Sequence, residues 1–155
     1  MLVKDMFDMT GKTVLITGAG GLLGPKHAEA VIECGADVII TDHHEDRANL
    51  RAQQLNETYG RHCATAFHMD VTSKKSINLV VNQIEKIDVL INNAAKDPKV
   101  KKESGLTPDS RFETMTEEYW SQGVDAAMNG TFFCSQAVGN KMLKSGGGVI
   151  LNIAS

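Results

Sequence analysis

The stretch "TVLITGAGGLLGPKHAEAVIECG", Thr13 to Gly35, decides the fold. Its opening, Thr13 to Thr17, is a short β-branched run of the kind that fills a buried strand. A helical pattern runs from about Pro25 to Cys34, and Gly35 stops it in the left-handed conformation. Between strand and helix lies "TGAGGLLG", Thr17 to Gly24. Gly18, Gly21 and Gly24 allow a tight turn and let backbone N–H groups approach a pyrophosphate, whose charge the helix N-terminus favours. A glycine turn after a strand and before a helix is the context a dinucleotide fingerprint requires. A P-loop is excluded, because "GKT" at Gly11 to Thr13 precedes the strand and has Met6 where the first Walker glycine belongs.

Working outward, β-branched runs alternate with helical patterns along the whole chain, and nothing repeats at a fixed period. "DVIIT" (Asp37 to Thr41) is the second strand. A polar helix follows from about Glu45 to Tyr59, closed by Gly60, and "ATAFHM" (Ala64 to Met69) is the third strand. Thr72 or Ser73 caps a helix reaching about Glu85, and "IDVLIN" (Ile87 to Asn92) is the fourth strand, joined tightly to that helix. The polar stretch "NAAKDPKVKKESGLTPDSRFET" is long for a connection inside a compact domain, as functional or mobile loops are. A long helical pattern then runs from about Thr116 to Lys144, and "VILNIA" (Val149 to Ala154) is the fifth strand. Right-handed crossovers place the strands in one parallel sheet, most simply in the order 3-2-1-4-5, with a ligand crevice where the order reverses between strands 1 and 4. The expected fold is therefore α/β, a Rossmann-type doubly wound sheet in three αβα layers, with residues 1–155 as one nucleotide-binding domain.

Asp42, 18 residues after Gly24, ends the second strand, where a carboxylate accepts hydrogen bonds from the adenosine ribose hydroxyls. That points to NAD. A 2′-phosphate there would meet a like charge at about 4 Å, which costs on the order of 4 kcal/mol per charge pair at surface-like dielectric. No arginine or lysine in the turn offsets it.

Composition narrows the partners. The chain has 155 residues, 42% hydrophobic and 23% charged, and its 16 basic and 19 acidic side chains give a formal charge of −3. That balance gives no footprint for nucleic acid. The N-terminal stretch carries Lys4, Asp5 and Asp8 and lacks the apolar core of a signal peptide, and no apolar run approaches membrane-spanning length, so a cytoplasmic location is expected. Cys34, Cys63 and Cys134 read as reduced, partly buried thiols. His43 and His44 could touch adenosine, but exposed loop histidines are the simpler reading, and they form no metal pattern with any cysteine.

With "TGAGGLLG", "TD" at Thr41 and Asp42, "MDVT" at Met69 to Thr72, "NNAA" at Asn92 to Ala95 and "GGVILNIAS" in one order, the chain resembles the short-chain dehydrogenase/reductase family over essentially its whole length. Within it, the long loop and "RFETMTEEYW" onward look most similar to gluconate 5-dehydrogenase-like and flagellin-modification or nucleotide-sugar members. The resemblance implies an oxidoreductase that moves hydride between NAD and a polar alcohol or carbonyl compound, assembled as a homodimer or homotetramer. Around the cofactor it implies Gly18, Gly21, Leu23, Gly24, Asp42, Asp70 and Val71 (the last two at the adenine), Asn92, Ala94 and Ala95. Lys96, Lys99, Lys101, Lys102 and Arg111 in the long loop leave an anionic substrate open.

Ser155 falls on the family's catalytic serine, which hydrogen-bonds the substrate oxygen while a tyrosine, its pKa lowered by a lysine four residues on, transfers the proton. That pair has no counterpart here: Tyr59 and Tyr119 are the only tyrosines, and four places on stand Cys63 and Gly123. The chain is therefore expected to be the N-terminal part of a longer enzyme, its sheet stopping at an unprotected fifth strand, and to bind better than it reacts. An alternative reading is a nucleotide-binding or regulatory module that has lost catalysis. Ala127 supports it, standing where many members carry an asparagine that holds a water; Asn129 lies about 200° further round an ideal helix. Gly123, Ala127, Gly130, Cys134 and Ala137 are expected to form a stripe of small residues packed closely against a neighbour.

Overall fold

Val14 and Ile16 point to one side of their strand and Leu15 to the other, and all three are fully buried. A strand buried on both faces needs helices on both sides of its sheet. In the computed structural model, which describes residues 3–96, 100–101, 105–106 and 111–154, that is the arrangement found. The elements are β1 (Thr13–Ile16), α1 (Gly24–Glu33), β2 (Asp37–Asp42), α2 (Glu45–Tyr59), β3 (Ala64–His68), α3 (Lys74–Gln83), β4 (Val89–Asn92), α4 (Glu117–Val124), α5 (Gly130–Lys144) and β5 (Val149–Asn152). A two-residue antiparallel pair, Val100–Lys101 with Gly105–Leu106, lies in the long connection.

The sheet has the order β3-β2-β1-β4-β5 and every pairing is parallel. Val14, Ile16, Val38 and Ile40 form one core with Ala28 and Ile32 of α1 and Ala48, Ala52 and Leu55 of α2. Leu15 and Leu90 form the other with Ile77, Val80 and Val81 of α3 and Cys134, Val138 and Met142 of α5. Burial pushes the Cys134 thiol up to about 12, so it stays protonated as a small apolar residue. Ser73 rather than Thr72 caps α3, accepting the Ser76 N–H at 3.3 Å.

Two expectations change. The long helix is not uniform: Asp125–Asn129 forms a π-helical turn between α4 and α5. That wider turn breaks the expected small-residue stripe, so Gly130 and Cys134 are buried, Ala137 is half-buried and Ala127 is exposed. The buried line continues instead through Val138 and Met142. The fifth strand, expected to reach Ala154, ends at Asn152, and it lies at the sheet edge with Val149 61% and Leu151 48% exposed.

At the opposite end of the sheet from the glycine turn, Asp88 joins β1 to β4. One carboxylate oxygen accepts the Thr13 N–H at 3.1 Å, and the other faces Lys86 at 2.7 Å and Lys12 at 3.5 Å. Burial by itself would raise its pKa, but the Lys86 and Thr13 hydrogen bonds and both lysine charges outweigh it and hold the carboxyl below its ordinary value. A depressed folded-state pKa stabilises above the unfolded pKa, and that contribution is lost as pH falls through the folded value. Thermal midpoints should therefore drop as pH is lowered below about 4, and more steeply than in Asp88→Asn. Equal pH slopes for the two proteins would refute this role.

Candidate functional site

Thr17, 1% exposed, ties together the strand ends where the sheet order reverses. Its N–H donates to the Ile91 carbonyl at 3.0 Å. Its hydroxyl oxygen accepts the N–H groups of Asn93 and Ala94, each at 3.0 Å. The Asn93 amide returns to the same turn, donating to the carbonyls of Thr17 at 3.0 Å and Gly18 at 3.1 Å. The segment after β4 is thus clamped onto the glycine turn. Gly18 has φ +61°, and a Cβ there would stand 2.8 Å from the Ala94 Cα, so only glycine permits the approach.

The turn is closed by backbone bonds, Ala19 N–H to the Thr41 carbonyl at 2.8 Å and Gly21 N–H to the Gly18 carbonyl at 3.1 Å. Gly24 starts α1 directly against it, where an added Cβ would lie 2.4 Å from the Ala19 Cα. Leu23 caps α1 without a side-chain hydrogen bond; Pro25 has no N–H and the Lys26 N–H returns to the Leu23 carbonyl at 2.9 Å, so the Gly24 N–H is the first-turn amide left to water or a ligand. Leu22 and Leu23 themselves are exposed.

Asp42, 4% exposed, leans over this turn. One oxygen accepts the Gly20 N–H at 3.1 Å, and the other accepts the His44 N–H at 2.9 Å and faces the His43 Nδ1 at 3.3 Å. Two neighbours escaped the sequence reading. Gly20 falls between the counted glycines, yet a Cβ on it would lie 2.9 Å from the Asp42 carboxylate and 2.7 Å from the Arg47 Cβ. Arg47 was missed because it belongs to α2, not to the turn, although its Cβ abuts that turn. A glycine unaccounted for by the spacing, opposite an acidic strand end, was the available signal.

The other expected site residues spread outward from this cluster. Asp70 follows β3, beside Met69, whose N–H donates to the Asp42 carbonyl at 2.9 Å. Its Oδ1 accepts the Thr72 N–H at 2.9 Å and hydroxyl at 2.7 Å. Val71 packs under Gly130, where a Cβ would stand 2.8 Å from the Val71 Cγ2. Ala94 is half-buried against Gly18, and Ala95 is exposed. Asn92 is 4% exposed, and its amide donates to the Ser135 hydroxyl at 3.0 Å and Asn152 Oδ1 at 2.9 Å, while its own oxygen has no partner. Its side chain thus joins β4 to α5 and β5, away from the turn. Ser155 lies outside the described residues, but β5 runs toward this end of the sheet, and the Ile153 N–H donates to the Asn92 carbonyl at 2.9 Å.

No substitute for the missing proton-transfer groups is found among the described residues. Tyr59 donates to Glu33 at 3.0 Å, and partial desolvation, then that carboxylate, push its pKa up, the reverse of what a tyrosine acid needs. Asn129 donates to the Asp125 carboxylate at 2.7 Å, within its own π-helical turn. Of the loop cations, Lys96 bonds Gln122 and sits 4.1 Å from the centre of the Tyr119 ring, and Arg111 pairs with Glu113 at 3.7 Å. Lys99 and Lys102 fall outside the described residues, as does the Lys101 side chain.

Comparison with known proteins places this geometry. A family profile described as short chain dehydrogenase matches residues 12–155. The chain is similar to an NAD-dependent glycerol dehydrogenase of Listeria innocua serovar 6a, 34% identical over 156 residues that cover 98% of this chain and 55% of that protein. It is likewise similar to a 2-dehydro-3-deoxy-D-gluconate 5-dehydrogenase of Bacillus subtilis, 34% identical over 156 residues covering 99% of this chain and 56% of that one. Among solved structures, a gluconate 5-dehydrogenase from Burkholderia cenocepacia J2315 in complex with NADP and tartrate superposes with a TM-score of 0.83 at 26% identity, covering 99% of this chain and 57% of that chain. The chain spans about half the length of the relatives it matches. Among the described residues, no helix is long and apolar enough to cross a membrane.

Proposed function

The chain belongs to the short-chain dehydrogenase family, and from that premise we propose that it forms the NAD-binding part of an oxidoreductase acting on a polar alcohol or carbonyl compound. The observation that carries the preference for NAD is the Asp42 carboxylate, buried at the end of β2 and bonded to the glycine turn through Gly20. A nicotinamide cofactor supplies the hydride chemistry when bound. The chain's own residues fit such a group, since Gly18, Gly20 and Gly24 draw the turn against Ala94, Asp42 and Ala19, where a Cβ would collide, and so keep its backbone bare. Gly18, Gly21, Leu23 and Gly24 would present backbone to the pyrophosphate, and Asp42 would accept from the ribose hydroxyls. Asp70 and Val71 would border the adenine, while the backbone at Asn92, and Ala94 and Ala95 after it, would line the cofactor at the end of β4. Ser155 would hold the substrate oxygen by a hydrogen bond.

The similarity to enzymes named for glycerol and for a gluconate derivative supports a polyol or sugar-acid substrate, which an anionic group could extend. Exposed Trp120, Met128 and Phe132 on the long helix support self-association as a homodimer or homotetramer. A second reading, a nucleotide-binding module without catalysis, draws on one feature, the exposed Ala127 in the π-helical turn.

Calorimetry with NAD and NADP tests the cofactor assignment. Asp42→Ala is expected to weaken NAD and lower its advantage over NADP by about tenfold or more, because a like charge near the ribose 2′-position is removed. An unchanged preference would sink the argument from charge.

A further inference from the structure

The loop after Asp42 carries two histidines that this reading leaves unused, and the fold sets a third beside them. His43, His44, Glu45, Asp46 and His68 line one open cavity of about 320 Å³ at the ends of β2 and β3. The His43 and His44 rings lie 3.9 Å apart between centroids, and His43 Nδ1 is 3.3 Å from the Asp42 carboxylate. Arg47, from the first turn of α2, abuts Gly20: a Cβ added there would stand 2.7 Å from the Arg47 Cβ and 2.9 Å from the same Asp42 carboxylate. Asp70, the next acidic group, is turned onto Thr72. Among the described residues, no three His, Cys, Asp or Glu side chains converge as metal ligands.

Three imidazoles in one cluster make its charge depend on pH. The carboxylates of Asp42, Glu45 and Asp46 against the one guanidinium of Arg47 make a net −2 when the three imidazoles are neutral, and charging all three brings it to +1. Imidazoles change charge between about pH 5 and 8. A neutral cluster leaves Asp42 to repel a 2′-phosphate. A protonated one adds positive charge beside the same carboxylate.

Resting on the dinucleotide reading above, we propose that His43 and His44 make cofactor choice pH-dependent: the site discriminates against NADP at alkaline pH and accepts it as pH falls, while NAD, which lacks the 2′-phosphate, responds little. Arg47 is the fixed cation that the histidines supplement, and His68 adds to the effect from β3.

Titration calorimetry of the chain with NAD and with NADP, at about pH 8, 7 and 6, tests this. The ratio of NADP to NAD affinity should rise about tenfold or more toward pH 6, since each proton taken up on binding contributes at most one decade per pH unit. The 2′-phosphate gains its own second proton near pH 6, which opposes the rise in any protein. The His43→Gln/His44→Gln variant therefore serves as the reference, and its ratio should stay flat or fall. Both side chains are exposed, and matching thermal midpoints would verify the fold of the variant. A ratio that is flat with pH in the unaltered chain, or that rises equally in the variant, overturns the proposal. Binding of neither nucleotide at any pH instead overturns the dinucleotide reading, and this proposal with it.

Discussion

Gly24→Ala is expected to weaken NAD binding by about a hundredfold or more and to destabilise the chain by roughly 2–3 kcal/mol. The added Cβ would lie 2.4 Å from the Ala19 Cα and 2.9 Å from the Ala19 carbonyl carbon and oxygen. These are backbone atoms, so no side-chain rotation relieves the clash. Ala19 is fully buried, and its N–H is held by the Thr41 carbonyl at 2.8 Å, so α1 must move rather than the turn. Ordinary contact begins near 3.4 Å, which requires a displacement of about 1 Å. A shift of that size carries the Gly24 N–H and the turn amides before it out of line with a pyrophosphate, and losing two charge-assisted hydrogen bonds at about 1.5–3 kcal/mol each yields the hundredfold figure. Gly60→Ala is the control: its left-handed φ of +62° costs stability, but a Cβ there meets nothing within 4 Å and the site is untouched. Calorimetry and thermal unfolding on both variants separate the effects. If Gly24→Ala binds NAD as tightly as the unaltered chain, the turn is not the pyrophosphate site.

The contrast between these glycines shows what a sequence can carry. Strand order was legible because "TVLI", "DVII" and "DVLI" are β-branched runs alternating with helices, and the right-handed crossover leaves few ways to arrange them. Element ends were off by one or two residues for a local reason: Asp42 extends β2 because its carbonyl receives the Met69 N–H, a bond no spacing reveals. The π-helical turn at Asp125–Asn129 was hidden because a 3.6-residue period was assumed throughout, whereas the wider turn leaves Ala127 exposed, outside the expected stripe. Within the site, Asp42 was found because it ends a strand, whereas Gly20 and Arg47 matter through contacts across 22 residues or more, or across elements. Local pattern marks which residues lie near the turn. Only packing shows which of them touch.

Thr17 exposes the same distinction as a measurable energy. Thr17→Val keeps the shape of the side chain but removes the oxygen that accepts the Asn93 and Ala94 N–H groups. Two amides in a partly buried position would then lack a partner, at about 1–3 kcal/mol each, and a net loss of roughly 2–4 kcal/mol is expected. For a chain of this size that lowers the thermal midpoint by on the order of 10 °C. Thr17→Ser retains the acceptor and loses one buried methyl, so it should cost only about 1 kcal/mol. The gap between the two variants isolates the hydroxyl from the packing around it. Binding should follow the same order, because a released segment after β4 no longer presses Ala94 against Gly18 and the turn loses its support. NAD affinity is therefore expected to fall severalfold or more in Thr17→Val and to stay near its original value in Thr17→Ser. Equal losses in the two proteins would mean that methyl packing, rather than the hydroxyl clamp, holds the β4 segment to the glycine turn.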